Sequence, residues 1–305
     1  MKFPLSKYIW FDGKLVPVNM AKVPVTTHAI HYGTSIFEGI RAYWNSKNLY
    51  VFRLKDHVKR FRNSGKFYNI KLNFSDRQIE NAVIDLCKKN KIKKSCYIRP
   101  FYFVGQYGIN FHVTQKAPTH TAIFAFPFGD LFNKSGITAT ISKWRKFSDM
   151  STPTQAKMGG NYLNSILATQ DAKQRGFDEA ILLDQSGNVS EAPGENIFLV
   201  KNNMLVTPSL SSSALDGITR RSIITLAKDM KLKIKTQKVS KKELKMADEI
   251  FLSGTAAEIT PVIKIDKKKI GEGKVGNITK LFMATYSDIV MNKSENYSHW
   301  LTAVY

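Results

Sequence analysis

Cysteine is nearly absent: Cys87 and Cys96 are the only two in 305 residues. Two cysteines outside a C-x-x-C spacing make neither a disulfide framework nor a zinc site, so a reducing compartment is expected. Long apolar runs are lacking as well. No stretch approaches the ~18 residues of a membrane span, and Met1-Lys2-Phe3-Pro4-Leu5-Ser6-Lys7 has no apolar core or cleavage site of a leader. The expectation is a soluble cytoplasmic protein with no membrane partner. Neither a G-x-S-x-G elbow nor a Walker-type lysine loop occurs, which removes the enzymes built on them. Acidic residues are scarce: 24 Asp plus Glu face 46 Lys plus Arg, a net charge of +22. That balance admits a nucleic-acid partner, but the basic residues are mostly Lys, spread along the chain with runs in 88–94, 231–245 and 267–269, and no aromatic-interleaved Arg cluster accompanies them. A lysine-biased surface without a nucleic-acid partner is expected, with a field that draws anionic substrates inward.

What is present is ordinary globular composition, 43% hydrophobic and 23% charged, in a length that suits two packed domains. Tyr8–Phe11, Asp12-Gly13 and Lys14–Val16 read as a hairpin, because Asp-Gly supplies the positive φ angles of a tight turn. Segments 56–65 and 76–90 read as amphipathic helices, the second capped by Ser75, and 97–104 and 121–128 as strands. The pattern breaks at 129–136. A helix is expected over 161–175 with Gly176 closing it, then strands at 179–183 and 196–200, then helices at 219–230 and 278–291. The domains expected are 1–128, a small α/β unit; 129–136, a connecting loop; and 137–305, a larger unit.

Several motifs compete. Gly271-Glu272-Gly273-Lys274-Val275-Gly276 spells G-x-G-x-x-G ahead of a helix, but the chain ends before the second strand and ribose-binding acid that a dinucleotide site needs, so a turn is the better reading. His28 and His31 lack a third ligand nearby and read as structural, and no metal site is expected. Thr154-Gln155-Ala156-Lys157-Met158-Gly159-Gly160-Asn161-Tyr162 differs in kind: one lysine among small residues, immediately before a helix, where backbone can approach a ligand closely. Alone it is weak, since most such lysines are solvated. Leu215-Asp216-Gly217-Ile218-Thr219-Arg220 opens another helix and can offer N–H groups to a phosphate, although a capped helix without ligand is commoner. Ser253-Gly254-Thr255-Ala256-Ala257-Glu258 is a second small-residue turn suited to an anion such as a carboxylate.

Together these residues resemble the fold-type-IV pyridoxal-phosphate (PLP) enzymes, and within them the branched-chain aminotransferases. The resemblance is carried by His31-Tyr32-Gly33-Thr34-Ser35-Ile36-Phe37-Glu38-Gly39-Ile40-Arg41, Tyr97-Ile98-Arg99-Pro100, the Lys157 segment, Ser190-Glu191-Ala192-Pro193-Gly194-Glu195-Asn196, Gly217–Arg220 and Ser253–Glu258, in family order. It implies an α/β (α+β) fold of two domains with mixed sheets, the active site at their interface, and pyridoxal 5′-phosphate as cofactor. Lys157 would carry the cofactor covalently and move the proton. Glu191 would hold the proton of the pyridine nitrogen, Tyr162 would bond the phenolic oxygen, and Arg60 with Leu215, Gly217, Ile218, Thr219 and Thr255 would surround the phosphate end. Asn196 would support Glu191. Thr255, Ala256 and Tyr97 would take the α-carboxylate of the substrate and Arg99 the distal carboxylate of glutamate, while Tyr32, Phe37 and Gly39 would line an apolar pocket.

The activity implied is reversible amino transfer between leucine, isoleucine or valine and 2-oxoglutarate, with amino acids and 2-oxo acids as small-molecule partners and a homodimer or higher homo-oligomer as assembly. A D-amino-acid transaminase and an aminodeoxychorismate lyase share the implied fold and remain alternatives; the Tyr97–Pro100 and Phe37–Gly39 blocks favour the branched-chain group. In one respect the chain departs from the family: Phe128–Lys134 looks short and lacks the tyrosine often found there.

Overall fold

The computed structural model describes residues 5–305, so the reading made on Met1–Pro4 lies outside the described residues. The strands are β1 (Tyr8–Phe11), β2 (Lys14–Pro17), β3 (Ser35–Phe37), β4 (Ile40–Trp44), β5 (Leu49–Phe52), β6 (Cys96–Val104), β7 (Thr119–Pro127), β8 (Ile137–Arg145), β9 (Glu179–Leu183), β10 (Asn196–Lys201), β11 (Met204–Pro208), β12 (Ile234–Gln237), β13 (Glu249–Gly254), β14 (Glu258–Ile265), β15 (Lys268–Lys269) and β16 (Leu301–Ala303). The helices are α1 (His28–Tyr32), α2 (Leu54–Lys66), α3 (Asp76–Lys89), α4 (Tyr162–Gln174), α5 (Ile218–Asp229), α6 (Lys241–Lys245) and α7 (Asn277–Val290).

Two compact units result. The first runs through Gly129 and also takes in Ala156–Gly160 and Asp288–Tyr305; the second comprises Asp130–Gln155 and Asn161–Ser287. A second unit running unbroken from 137 to 305 is therefore not what the chain forms, and the lysine segment packs with the first unit. The reason is backbone pairing. Phe37 N donates to Lys157 O at 3.1 Å and Gly160 N to Gly33 O at 3.2 Å, so the segment lies along β3, bridged to it where Met158 faces Ile36. At the other end β16 pairs antiparallel with β5, Leu301 opposite Phe52.

In the first unit the sheet order is β16-β5-β4-β6-β7-β1-β2, with β3 also on β6. The β1–β2 hairpin turns at Asp12 (φ 44) and Gly13 (φ 91), as its Asp-Gly pair requires. β6 shows the two-residue period of a strand with two different faces. Cys96, Ile98, Tyr102 and Val104 enter a core shared with Leu54, Val58 and Phe61 of α2 and Ile79, Val83 and Leu86 of α3. Tyr97 and Arg99 share the alternate face. A proline in a central strand has no N–H for a neighbour, and Pro100 stands where the neighbour changes: Ile98 faces Ile40 of β4, whereas Phe101 faces Phe37 of β3. Glu38 and Gly39 span that break, and Glu38 N closes it by donating to Pro100 O at 2.8 Å.

The second unit holds a mixed sheet, order β12-β11-β10-β13-β14-β8-β9, with β15 on β14. β8 runs parallel to both β9 and β14, while β10, β13 and β14 alternate antiparallel. The expected helices appear within about two residues of their limits. Ser75 caps α3 through a reciprocal bond pair with Gln78, and Ser240 does the same for α6 with Glu243. The G-x-G-x-x-G string is a turn: Gly271 and Gly273 have φ of 53 and 74, and the start of α7 is already served by Glu249, whose carboxylate accepts from Ile278 N, Thr279 N and Thr279 Oγ1. His28 is buried, within hydrogen-bonding distance of Thr34 Oγ1 and Asn110 O, which agrees with a structural role. No cluster of three or more metal-ligating side chains occurs among the described residues.

Candidate active site

The first unit assembles a charged cluster on one face of α2. His57, Arg60 and Ser64 recur at helical spacing and point away from the core face of Leu54, Val58 and Phe61. Glu38, released from the sheet at the β3–β4 break, meets them with its side chain fully buried. Arg60 grips it with two N–H groups, Nε to Oε1 at 2.6 Å and Nη2 to Oε2 at 2.9 Å, and His57 Nδ1 reaches Oε2 at 2.8 Å. Burial alone would raise the pKa of this carboxyl, but the Arg60 guanidinium and the His57 and Arg60 hydrogen bonds hold it well below the usual carboxylate range. His57 is pushed down, first by burial and then by the charges of Arg60 and Lys157 against the pull of Glu38. A neutral ring donating from Nδ1 to an ionised Glu38 follows.

Lys157 sits over this cluster. Ser64 Oγ accepts from Lys157 N at 3.0 Å, and the lysine Nζ lies 4.7 Å from the centre of the Phe37 ring. The guanidinium of Arg99 lies 4.6 Å from that same ring, and its Nη2 donates to Tyr97 Oη at 3.1 Å. Gly39 has a direct steric reason to be glycine, since a Cβ there would stand 1.7 Å from Tyr97 Oη. Tyr97 stacks on Phe126 with centroids 5.5 Å apart. The structure thus brings Phe37, Gly39, Tyr97, Arg99, Lys157 and Arg60 into one neighbourhood of the first unit. Tyr32 closes α1 just ahead of Gly33 (φ 65) and packs on His28 and Phe111.

The second unit builds a different cluster around Glu191. Its Oε2 accepts from Asn196 Nδ2 at 3.1 Å and from Leu215 N at 2.9 Å, and Asn196 Nδ2 also donates to Leu215 O at 2.8 Å. Leu215 therefore enters through its backbone and Asn196 as the clamp. On the other oxygen Lys146 Nζ approaches Oε1 to 2.6 Å. Gln155 fixes the next stretch, donating to Ala214 O at 2.8 Å and accepting from Asp216 N at 3.2 Å. From there Gly217 starts α5 in extended conformation with no side chain closing the first turn, and a Cβ on it would lie 2.0 Å from Asn196 Oδ1. Helices α6 and α7 begin under a serine and a carboxylate, whereas α4 and α5 have no side-chain cap on their first turn. Tyr162 is the first residue of α4, and Thr255 and Ala256 occupy the turn between β13 and β14.

Sequence reading singles out neither Glu38 by role nor His57, Ser64 and Lys146. The spacing of His57, Arg60 and Ser64 is a usable signal, because three polar residues on one stripe of an otherwise amphipathic helix require a common partner. Lys146 carries no such signal; only the bend after β8 brings it to Glu191. Each unit by itself offers donors of the kind pyridoxal phosphate requires: in the first an amine on a tightly packed segment and a guanidinium, in the second a buried, hydrogen-bonded carboxylate and a helix start with no side-chain cap.

The comparisons agree with this chemistry. The family model described as amino-transferase class IV matches residues 35–265. The chain is 42% identical over 303 residues to the branched-chain-amino-acid aminotransferases of Salmonella typhimurium and Escherichia coli K12, covering 98% of this chain and of each relative. Among solved structures it matches the branched-chain aminotransferase of Thermoproteus uzoniensis with norvaline at a TM-score of 0.95 and 41% identity, covering 98% of this chain and 100% of that one. The Escherichia coli branched-chain amino acid aminotransferase gives 0.95 and 42%, covering 98% and 100%. A further branched-chain amino acid aminotransferase, from T.th. and complexed with N-(5′-phosphopyridoxyl)-L-glutamate, gives 0.95 and 39%, covering 98% and 99%. The chain belongs to the class IV aminotransferases and, within them, to the branched-chain-amino-acid aminotransferases.

Proposed function

We propose that the protein transfers the amino group of leucine, isoleucine or valine to 2-oxoglutarate, reversibly and with pyridoxal 5′-phosphate as cofactor. The observation that carries this most directly is Glu191, a buried carboxylate fixed by Lys146, Asn196 and Leu215 in the manner needed to hold a proton on a ring nitrogen. Bound, the cofactor supplies an electrophilic carbon for the substrate amine and an electron sink for the charge left when Cα loses its proton.

The chain's own residues do the rest. Lys157 would hold the cofactor and, as a free amine, would take the proton from the substrate Cα and deliver it to C4′ of the cofactor. Tyr162 hydrogen-bonds the phenolic oxygen. Arg60, with the Gly217–Thr219 start of α5 and Thr255, would hold the phosphate: its Nε and Nη2 are engaged by Glu38, so it would serve as a fixed cation beside a helix N-terminus that favours a dianion. The Thr255–Ala256 backbone and Tyr97 take the α-carboxylate.

Arg99 is what lets one pocket accept two substrates. Its guanidinium lies on the Phe37 ring, so the same wall offers an apolar face to an aliphatic side chain and a cation to the distal carboxylate of glutamate. Discrimination among three aliphatic side chains by such a wall is modest, about 10- to 200-fold per methylene at most.

The assembly we infer is a homo-oligomer. Ile109 and Phe111 in the loop before β7, and Leu163 and Ile166 along α4, expose large apolar surfaces that a further copy of the chain would cover. The two free thiols, both buried, suit a cytoplasmic setting.

The test is turnover of purified holoenzyme with L-leucine, L-isoleucine, L-valine, D-alanine and aminodeoxychorismate as donors. Amino transfer from the three branched L-amino acids to 2-oxoglutarate is expected. Activity confined to D-alanine, or pyruvate release from aminodeoxychorismate, overturns the reading in favour of a different enzyme of this fold. Lys157→Ala should abolish turnover and the visible absorbance that depends on the lysine.

A further inference from the structure

The reading above gives the substrate α-carboxylate to the turn between β13 and β14, and the second sheet shows what holds that turn. β8 and β14 run parallel, with Ile137 opposite Val262, so the residues just ahead of both strands emerge at one end of the sheet. Ahead of β8 lies a tight turn over 133–136, in which Gly136 N donates to Asn133 O at 3.2 Å and Ser135 N to Asn133 Oδ1 at 2.9 Å. Lys134 is on its crest. Glu258 opens β14 opposite Gly254, in left-handed conformation with φ 55. A residue with a side chain costs about 1 kcal/mol or more there, so the conformation needs support. Thr260 Oγ1 supplies part of it by donating to Ala257 O at 2.8 Å. Lys134 Nζ supplies the other part at 2.6 Å from Glu258 Oε2, with Asp130 at 3.6 Å. The Glu258 side chain is only 17% exposed, so this pair is partly shielded from solvent. Phe132 packs against the second core and keeps the loop that carries Lys134 in place.

We propose that Lys134 is a positioning residue for carboxylate recognition: through Glu258 it holds the Gly254–Glu258 turn in the shape that presents the Thr255–Ala256 backbone to the substrate. This rests on the reading that the turn takes the α-carboxylate. It ties substrate affinity to the connecting loop, in which Lys134 stands three residues ahead of β8. The competing account is an ion pair that merely closes a sheet end; it would change the melting temperature and leave affinity alone.

The experiment uses holoenzyme and two readouts. One is the dissociation constant of 4-methylpentanoate, a branched carboxylate with neither amino nor oxo group, followed by the absorbance of the bound cofactor; the other is KM and kcat for L-leucine. Lys134→Met should weaken analogue binding and raise KM by about three- to tenfold, with kcat at saturation within about twofold. Lys134→Arg should stay close to wild type, and Lys134→Glu combined with Glu258→Lys should recover most of the loss. Ala256→Pro, which removes one N–H of the turn, reports on the underlying reading. Unchanged affinity in Lys134→Met alongside weakened binding in Ala256→Pro overturns the proposal and leaves the turn as the carboxylate site. Unchanged affinity in both removes the turn itself from recognition, and the proposal with it. Equal losses in the Met and Arg variants also overturn the ion-pair argument.

Discussion

Glu38 in the first unit and Glu179 in the second are both buried carboxyls, and they behave in opposite ways. Glu38 meets a bidentate guanidinium and a neutral imidazole and is held ionised. Glu179 starts β9 with its carboxylate accepting from Ala180 N at 2.8 Å, and burial pushes it up to about 7 despite that bond and the more distant Lys173. Loss of water is common to both, so burial by itself does not decide charge; a cation in contact does. Glu191 has one lysine on one oxygen and two neutral donors on the other. The two carboxyls with cations in contact stand in the polar cluster of their own unit, and the one without stands at the start of a strand.

Three substitutions break or sharpen that contrast. The largest effect is expected from Glu191→Ala, which removes the carboxyl group proposed to face the ring nitrogen: turnover should fall by about 10²- to 10³-fold, while the cofactor stays bound by titration. Near-normal turnover removes Glu191 from the mechanism.

Glu38→Gln comes next. Breaking a buried pair costs about 3–5 kcal/mol, and Arg60 loses its fixed orientation. Cofactor affinity of the apoprotein should drop about tenfold or more, and urea unfolding at pH 7 should shift to lower concentration. The pH dependence has a definite sign. A carboxyl depressed in the folded state stabilises fully above the ordinary carboxylate range and loses that contribution as pH falls through and below it. The wild type should therefore lose stability on acidification more steeply than the variant, and equal acid profiles would count against the pairing.

The smallest effect belongs to Glu179→Gln. A carboxyl raised to about 7 in the folded state and ordinary in the unfolded one destabilises progressively as pH rises from about 4.5 through 7. The variant should melt higher than wild type at pH 8, by roughly 3 kcal/mol in stability, and nearly equally at pH 4. A variant less stable at both pH values would mean that the carboxylate finds a better partner than its own backbone.

Much of the fold was legible where the cause is local. The Asp12-Gly13 hairpin, the Ser75 cap of α3, the apolar stripes of α2 and α3 and the helix before Gly176 each follow from residues within a few positions of one another. Lys157 and Glu191 stand in the motifs that carry the family resemblance, whereas Arg60 stands in none of them and entered only as what that resemblance implies. What escaped was non-local. β16 pairs with β5 from the far end of the chain, a match that no local pattern announces, and the lysine segment left the unit to which chain order assigned it. The pairing of Lys146 with Glu191 and of Lys134 with Glu258 depends on which strands lie parallel, which strand-by-strand reading does not provide.

Residue type and order alone determined that this chain would carry a lysine among small residues before a helix, a small-residue start to a second helix and an acid between them, because those are chemical identities and short-range conformational preferences. Tertiary structure alone decided which charges meet. Glu38 becomes a buried anion only because the sheet breaks at Pro100 and lets α2 deliver Arg60 and His57 to it, and ionisation in a low-dielectric interior is set by contacts that only the folded backbone creates.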